Sequence, residues 1–183
     1  MKSYINFIKE SANSHDDFVK ILQDIIIKDD KTINGFEFNE DSRSGAFEWY
    51  NGDYIIYSTP YWDGNMDLPI DITNKNGDEI DEQFFDLIEL KNVNDVNSII
   101  KFYYEKIDEI TYQLSKRTEL KKDLELILKS VNSINIEGYF TIGRHNKVWS
   151  KILDPLLDDD IIDILNIINK KYSDIILANK YNI

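Results

Sequence analysis

The chain has no cysteine in its 183 residues. Disulfides, thiolate metal sites and a cysteine nucleophile are therefore excluded. Glycine is scarce, at seven residues, and none falls in a G-x-G-x-x-G or Walker pattern. Backbone loops that cradle phosphate are not expected. Histidine occurs twice, as His15 and His145. Without cysteine, a zinc site would need both of them plus carboxylates. One sits at the start of a helical pattern and the other in a turn beside Arg144 and Lys147, so both read as surface residues. No serine lies in a glycine-flanked elbow with a base in view; Ser44-Gly45 reads as loop.

Long apolar runs are missing too. No stretch approaches 18 uncharged apolar residues, so no membrane span is expected. Met1 to Phe18 carries Lys2, Lys9, Glu10, Asp16 and Asp17 and shows neither an apolar h-region nor a small-residue cleavage site. No signal peptide is read there. The cytoplasm is the expected location, in keeping with the lack of cysteine.

What the chain has in excess is negative charge. Its 34 acids and 21 bases give a net charge of −13. Residues 36–90 hold 14 of the acids but only two bases, Arg43 and Lys75, so −12 of the −13 lies in that block. An even spread would be a solubility feature. A charge this concentrated asks for a local cause. Core material is ample, with 42% hydrophobic and 13% aromatic residues, and the length suits a single α+β domain over 1–183.

Three sub-regions follow from periodicity. Residues 1–35 read as short N-terminal helices. Ser14 caps a pattern running to Lys28, with Phe18, Ile21, Leu22, Ile25 and Ile26 on one face. A shorter helix over Ser3 to Ala12 precedes it. Residues 36–90 read as an acidic antiparallel β-meander of about four strands. Asn51-Gly52 between aromatic runs predicts a hairpin with a type I′ turn, positive φ at both residues. Leu68, Ile70 and Ile72 alternate with polar residues. Pro69 among them lacks an N–H, which predicts an edge strand or an unpaired position. Asn76-Gly77 predicts a further turn. Phe84 to Leu90 fits either a last strand or the approach to a helix.

Residues 91–183 read as a helical half with long helices over 94–132 and 159–179. The first carries Val96, Ile99, Ile100, Tyr103, Ile107, Ile110 and Leu114. A second run from Leu120 to Val131 either continues it or follows a break near Ser115–Thr118. A short strand over Tyr139–Ile142 interrupts this half. Asp158 to Asp160 favour a helix N-terminus. Lys116, Arg117, Lys121 and Lys122 form the single basic cluster. They interleave with Glu119 and Asp123, which reads as a solvated helix face with paired charges.

Calcium is the first cation that an acidic loop suggests. With Gly77 set at the invariant glycine of an EF-hand, Ile72 falls where the loop needs Asp and Gln83 where it needs a bidentate Glu. No metal and no cofactor is expected. Direct nucleic-acid binding is not expected either, because the net charge repels phosphate.

The aromatics Trp49, Tyr50, Tyr54, Tyr57, Tyr61 and Trp62 cluster in and after the hairpin. An alternating strand cannot point all of them inward. Exposed Tyr and Trp beside carboxylates suit a protein-binding face. Glu48, Tyr50, Asp53, Tyr57, Tyr61, Trp62, Asp63, Asp67 and Asp71 are the expected partner-binding residues. The expected function is a non-enzymatic inhibitor or protein-binding module that mimics nucleic acid toward a basic, nucleic-acid-binding partner. Immunity proteins against nuclease toxins and phage anti-defence proteins, anti-CRISPR proteins among them, work in this general way. Two alternatives stand beside it: an enzyme with a carboxylate or metal-dependent site, and an accessory protein that oligomerises through its helical half.

Overall fold

The computed structural model describes residues 32–39, 47–59, 61–62, 66–86, 96–145 and 148–182. The expected helices before residue 30 lie outside the described residues. So do His15, Asp63 and Arg43. Two compact units divide the chain, Met1–Thr111 and Tyr112–Ile183. The division falls inside a continuous helix. It also sorts the charge. The first unit holds 24 acids and 10 bases, and the second holds 10 acids and 11 bases.

In the first unit the strands are β1 (Glu37–Asn39), β2 (Phe47–Tyr50), β3 (Tyr54–Ser58), β4 (Tyr61–Trp62), β5 (Met66–Asn74) and β6 (Glu79–Asp86). All pair antiparallel in one sheet. The α+β meander followed by a long helix is as the sequence predicts, with more strands than four. One reason is the chain beyond Asn76-Gly77. It forms β6, which begins at Glu79, well before the expected Phe84.

Strand β5 lies inside the sheet. Its far half pairs with β3, its near half with β4, and its other edge with β6. Pro69 is therefore not on an edge strand. The second option holds instead. On the β3–β4 side pairing runs from Ser58 opposite Ile70 to Tyr61 opposite Asp67, and skips Leu68 and Pro69. On the other side Pro69 stands opposite Phe84 of β6, so the position is unpaired toward β3 and β4 alone.

Turn chemistry also departs from expectation by one residue. Asn51 N–H donates to Tyr54 O, so the two-residue loop is Gly52-Asp53. Only Gly52 has positive φ there, at +87°. That is the pattern of a turn with glycine in its first central position, not of a type I′ turn. Asn51 serves from outside the loop, its Oδ1 accepting from the N–H groups of Asp53 and Tyr54. Among the described residues the pair with positive φ at both positions is Asn34-Gly35, at 49° and 82°, closed by mutual bonds between Ile33 and Phe36.

Asn34 then ties this turn to the helix. Its Nδ2 donates to Asp108 O, Asp108 Oδ1 and Thr111 Oγ1 at 3.0–3.1 Å. Asn34→Ala removes all three bonds and leaves a β-carbon residue in the left-handed region. It should cost about 1–2 kcal/mol in urea denaturation. A loss below about 0.3 kcal/mol would show that the turn is held otherwise.

Helix α1 (Val96–Ser130) contains no glycine or proline, and it runs unbroken through Ser115–Thr118. In the first unit its Tyr103, Ile107 and Ile110 are buried, as are Phe36, Phe47, Trp49, Tyr54, Ile56, Ile70 and Ile72. The rings meet edge to face: Phe38 with Trp49 at 5.4 Å and Phe47 with Tyr103 at 5.5 Å. Trp49 Nε1–H donates to Tyr103 Oη at 2.8 Å inside this core.

The second unit has its own core. Helix α1 ends and a hairpin follows, β7 (Ser133–Ile136) with β8 (Phe140–Gly143). The expected strand near Tyr139–Ile142 is β8. Its partner β7 was not expected, because a four-residue Ser-Ile-Asn-Ile alternation at a helix end is too short to stand out. Helices α2 (Trp149–Leu153) and α3 (Asp158–Tyr181) complete the unit. Leu120, Leu124, Ile127, Leu128, Ile134, Ile136, Ile142, Leu153, Ile161, Ile164, Leu165 and Ile168 pack as one cluster. Ile162, next to buried Ile161 in the first turn of α3, is exposed. No helix among the described residues is long and apolar enough to cross a membrane.

Candidate functional site

Alternation gives the first unit's sheet two faces. Phe47, Trp49, Tyr54, Ile56, Ile70 and Ile72 are buried on one side. The intervening residues Glu48, Tyr50, Ile55, Tyr57, Asp71 and Thr73 are half-buried or exposed on the other. Of the nine expected partner-binding residues, Glu48, Tyr50, Tyr57 and Asp71 fall on this second face, and register shows how they are grouped.

Glu48 stands opposite Tyr57, and Tyr57 opposite Asp71. Directly opposed residues hold their Cβ atoms about 4.5–5.5 Å apart. The three therefore form one row across β2, β3 and β5, a tyrosine flanked by two carboxylates. Beside Asp71 the row continues to position 82, a glutamate, and Asp67 likewise stands opposite Asp86. Two acid-to-acid pairs thus recur along one ladder. Like charges directly opposite each other destabilise a sheet, where a neutral or basic partner would not.

Tyr50 lies in the neighbouring row, opposite Glu37 on β1 and Ile55 on β3. It is 46% exposed, the clearest case of an outward aromatic in the cluster, while Tyr57 is half-buried. Asp53 does not join the rows. It sits in the hairpin loop at one end of the sheet, and Lys75 N–H donates to its carbonyl. Tyr61 and Trp62 belong to β4, opposite Asp67 and Met66 at the far end of β5. Their side chains lie outside the description. Register thus gathers Glu48, Tyr57 and Asp71, adds Tyr50 beside them, and leaves Asp53 and the β4 residues at the two ends. Glu37 was not singled out from sequence. The alternation of Phe36-Glu37-Phe38 already carried the signal.

The basic cluster does not form a patch. Arg117 is buried. Its guanidinium donates to Leu153 O, to Leu156 O at 2.7 Å and to Asp158 Oδ1 at 3.0 Å. Lys116 pairs with Glu119 at 2.8 Å, as the i,i+3 spacing predicts. At the start of α3 the acids divide their work. Asp158 takes Arg117, and Asp160 Oδ2 accepts from Leu157 N–H at 3.2 Å.

Chemistry elsewhere is sparse. Among the described residues no three His, Asp or Glu side chains converge as a metal-binding group. An open depression is lined by Glu125, Leu128, Lys129 and Arg144. Its arginine is committed to Leu128 O and Lys129 O, both at 2.7 Å, closing the last turn of α1. Burial pushes the Tyr103 hydroxyl far above the ordinary tyrosine range, against the lowering effect of its bond from Trp49. Burial and the nearby Glu119 raise the Asp123 carboxyl, against the pull of Lys180. Desolvation explains both shifts first, as expected of packing residues.

The chain matches no protein-family model, no curated protein and no solved structure.

Proposed function

We propose that this protein is a non-enzymatic protein-binding module of the inhibitor type. Its partner is a basic protein whose surface ordinarily holds nucleic acid, and the outer face of the first unit's sheet engages it. One observation carries this reading: carboxylates recur at opposed register positions across one sheet. Glu48 and Asp71 flank Tyr57 directly, and acids stand opposite acids at Asp71 with Glu82 and Asp67 with Asp86. Repulsion of this kind weakens the fold and is relieved when a basic surface covers it. Exposed Tyr50 supplies an apolar anchor beside the charge, as Tyr does at interface centres. A groove that binds phosphates offers the complementary pattern, and binding there would exclude DNA or RNA.

The test is retention of partners from lysate of the source cells. The wild-type chain is compared with a variant carrying Glu48→Lys, Asp53→Lys, Asp67→Lys and Asp71→Lys, after nuclease treatment. We expect the wild type to retain a basic nucleic-acid-binding protein and to release it at high salt. The folded variant should lose that partner by at least tenfold, since several charge contacts at about 0.2–1 kcal/mol each act together. Equal retention by both chains would remove the sheet face from the proposal. Retention only of the chain's own copies would favour oligomerisation instead.

A further inference from the structure

We infer that the first unit is an ionic-strength-sensitive element attached to a second unit that is not. The charge divides with the compact units: 24 acids against 10 bases in Met1–Thr111, and 10 against 11 in Tyr112–Ile183. A net charge far from zero destabilises a compact state through self-repulsion, and salt screens it. The first unit has this repulsion built into its longest ladder. Along β5 and β6, Asp67 stands opposite Asp86 and Asp71 opposite Glu82, both pairs within the eight residues of β6.

Lys101 and Lys106 are paired along α1 with Glu105 and Glu109. Lys75 lies in the turn after β5. The second unit differs in kind. Its charges balance, its arginines bind helix-end carbonyls, and its apolar cluster draws on three helices and a hairpin. At low ionic strength the sheet should therefore open locally more often than the helical unit. Added salt should close that gap. The effect needs no partner, so it stands or falls separately from the proposed function.

The full chain is tested by amide hydrogen exchange at 20 mM and 300 mM NaCl, read by mass spectrometry. The second unit serves as the internal reference. Peptides covering β2, β3, β5 and β6 should gain several-fold protection on going to the higher salt, while β7, β8 and α3 change by less than about twofold. A second variant keeps the test independent of general salt effects. Asp71→Lys turns the pair with Glu82 from repulsive to attractive. It should raise low-salt protection of β5 and β6 by about two- to fivefold and reduce the salt response. Equal salt responses in both units, or lower β5–β6 protection in a folded Asp71→Lys chain, would overturn the inference.

Discussion

Trp49→Ala is expected to destabilise the first unit by about 3–5 kcal/mol, the largest single-residue effect in the molecule. Trp49 is fully buried in mid-sheet, on β2, and is the largest of the fully buried side chains among the described residues. Its ring meets Phe38 at 5.4 Å and Tyr104 at 6.5 Å. Truncation leaves a ring-sized void that a sheet pinned on both sides cannot collapse. It also removes the donor to Tyr103 Oη, stranding a hydroxyl with no access to solvent. Trp49→Phe separates the two contributions. It keeps most of the packing and loses the N–H, so it should cost about 1–2 kcal/mol. Urea denaturation followed by far-ultraviolet circular dichroism measures both. If Trp49→Ala lost less than about 1 kcal/mol, the aromatic cluster would not be the core of this unit.

Arg117→Ala should be nearly as costly to the second unit, at about 2–4 kcal/mol. The side chain is buried and reaches the end of α2 and the start of α3 together. It binds Leu153 O, Leu156 O and Asp158. Asp158 is 46% exposed, so water can replace the guanidinium at that end. The cost comes mainly from the two carbonyls and the space left by the removed stem. Arg117→Lys should recover little of it, because an ammonium lacks the planar fork that reaches several acceptors at once. Thermal unfolding with hydrogen exchange on α2 and α3 tests this. Full rescue by lysine would show that charge alone matters and that the fork does not.

The contrast between the two cases explains what was legible in the sequence. Trp49 as a core residue followed from alternation in Phe47-Glu48-Trp49-Tyr50, since a strand with period two must bury every second side chain. Arg117 was read as one member of a solvated basic cluster. Helical spacing set Lys116, Lys121 and Lys122 on the surface but could not place Arg117. Its acceptors lie more than thirty residues away at the joint of α2 and α3.

The candidate site was legible in the same uneven way. Composition marked residues 36–90 as the acidic block, and alternation marked Glu48, Tyr50 and Tyr57 as outward positions. No local rule could say that Glu48, Tyr57 and Asp71 share one row. That depends on the pairing of β2, β3 and β5, and pairing depends on contacts across the chain. A shift of one residue would have sent Asp71 into the core side of the sheet. Ile70 and Ile72 prevent that shift, because both are buried in the observed register.

By itself the sequence determined the class of the fold, the places of most turns, the two long helices and the concentration of charge. Each of these rests on interactions within a few residues: hydrophobic period, glycine and asparagine at positive φ, and simple counting. Tertiary structure alone decided which strands neighbour which, that β5 lies inside the sheet despite Pro69, and that Arg117 is a buried clamp. It also decided that acid faces acid between β5 and β6. The reason is common to all of them. Strand order and buried polar contacts are settled by segments far apart in the chain, where local preference has no reach.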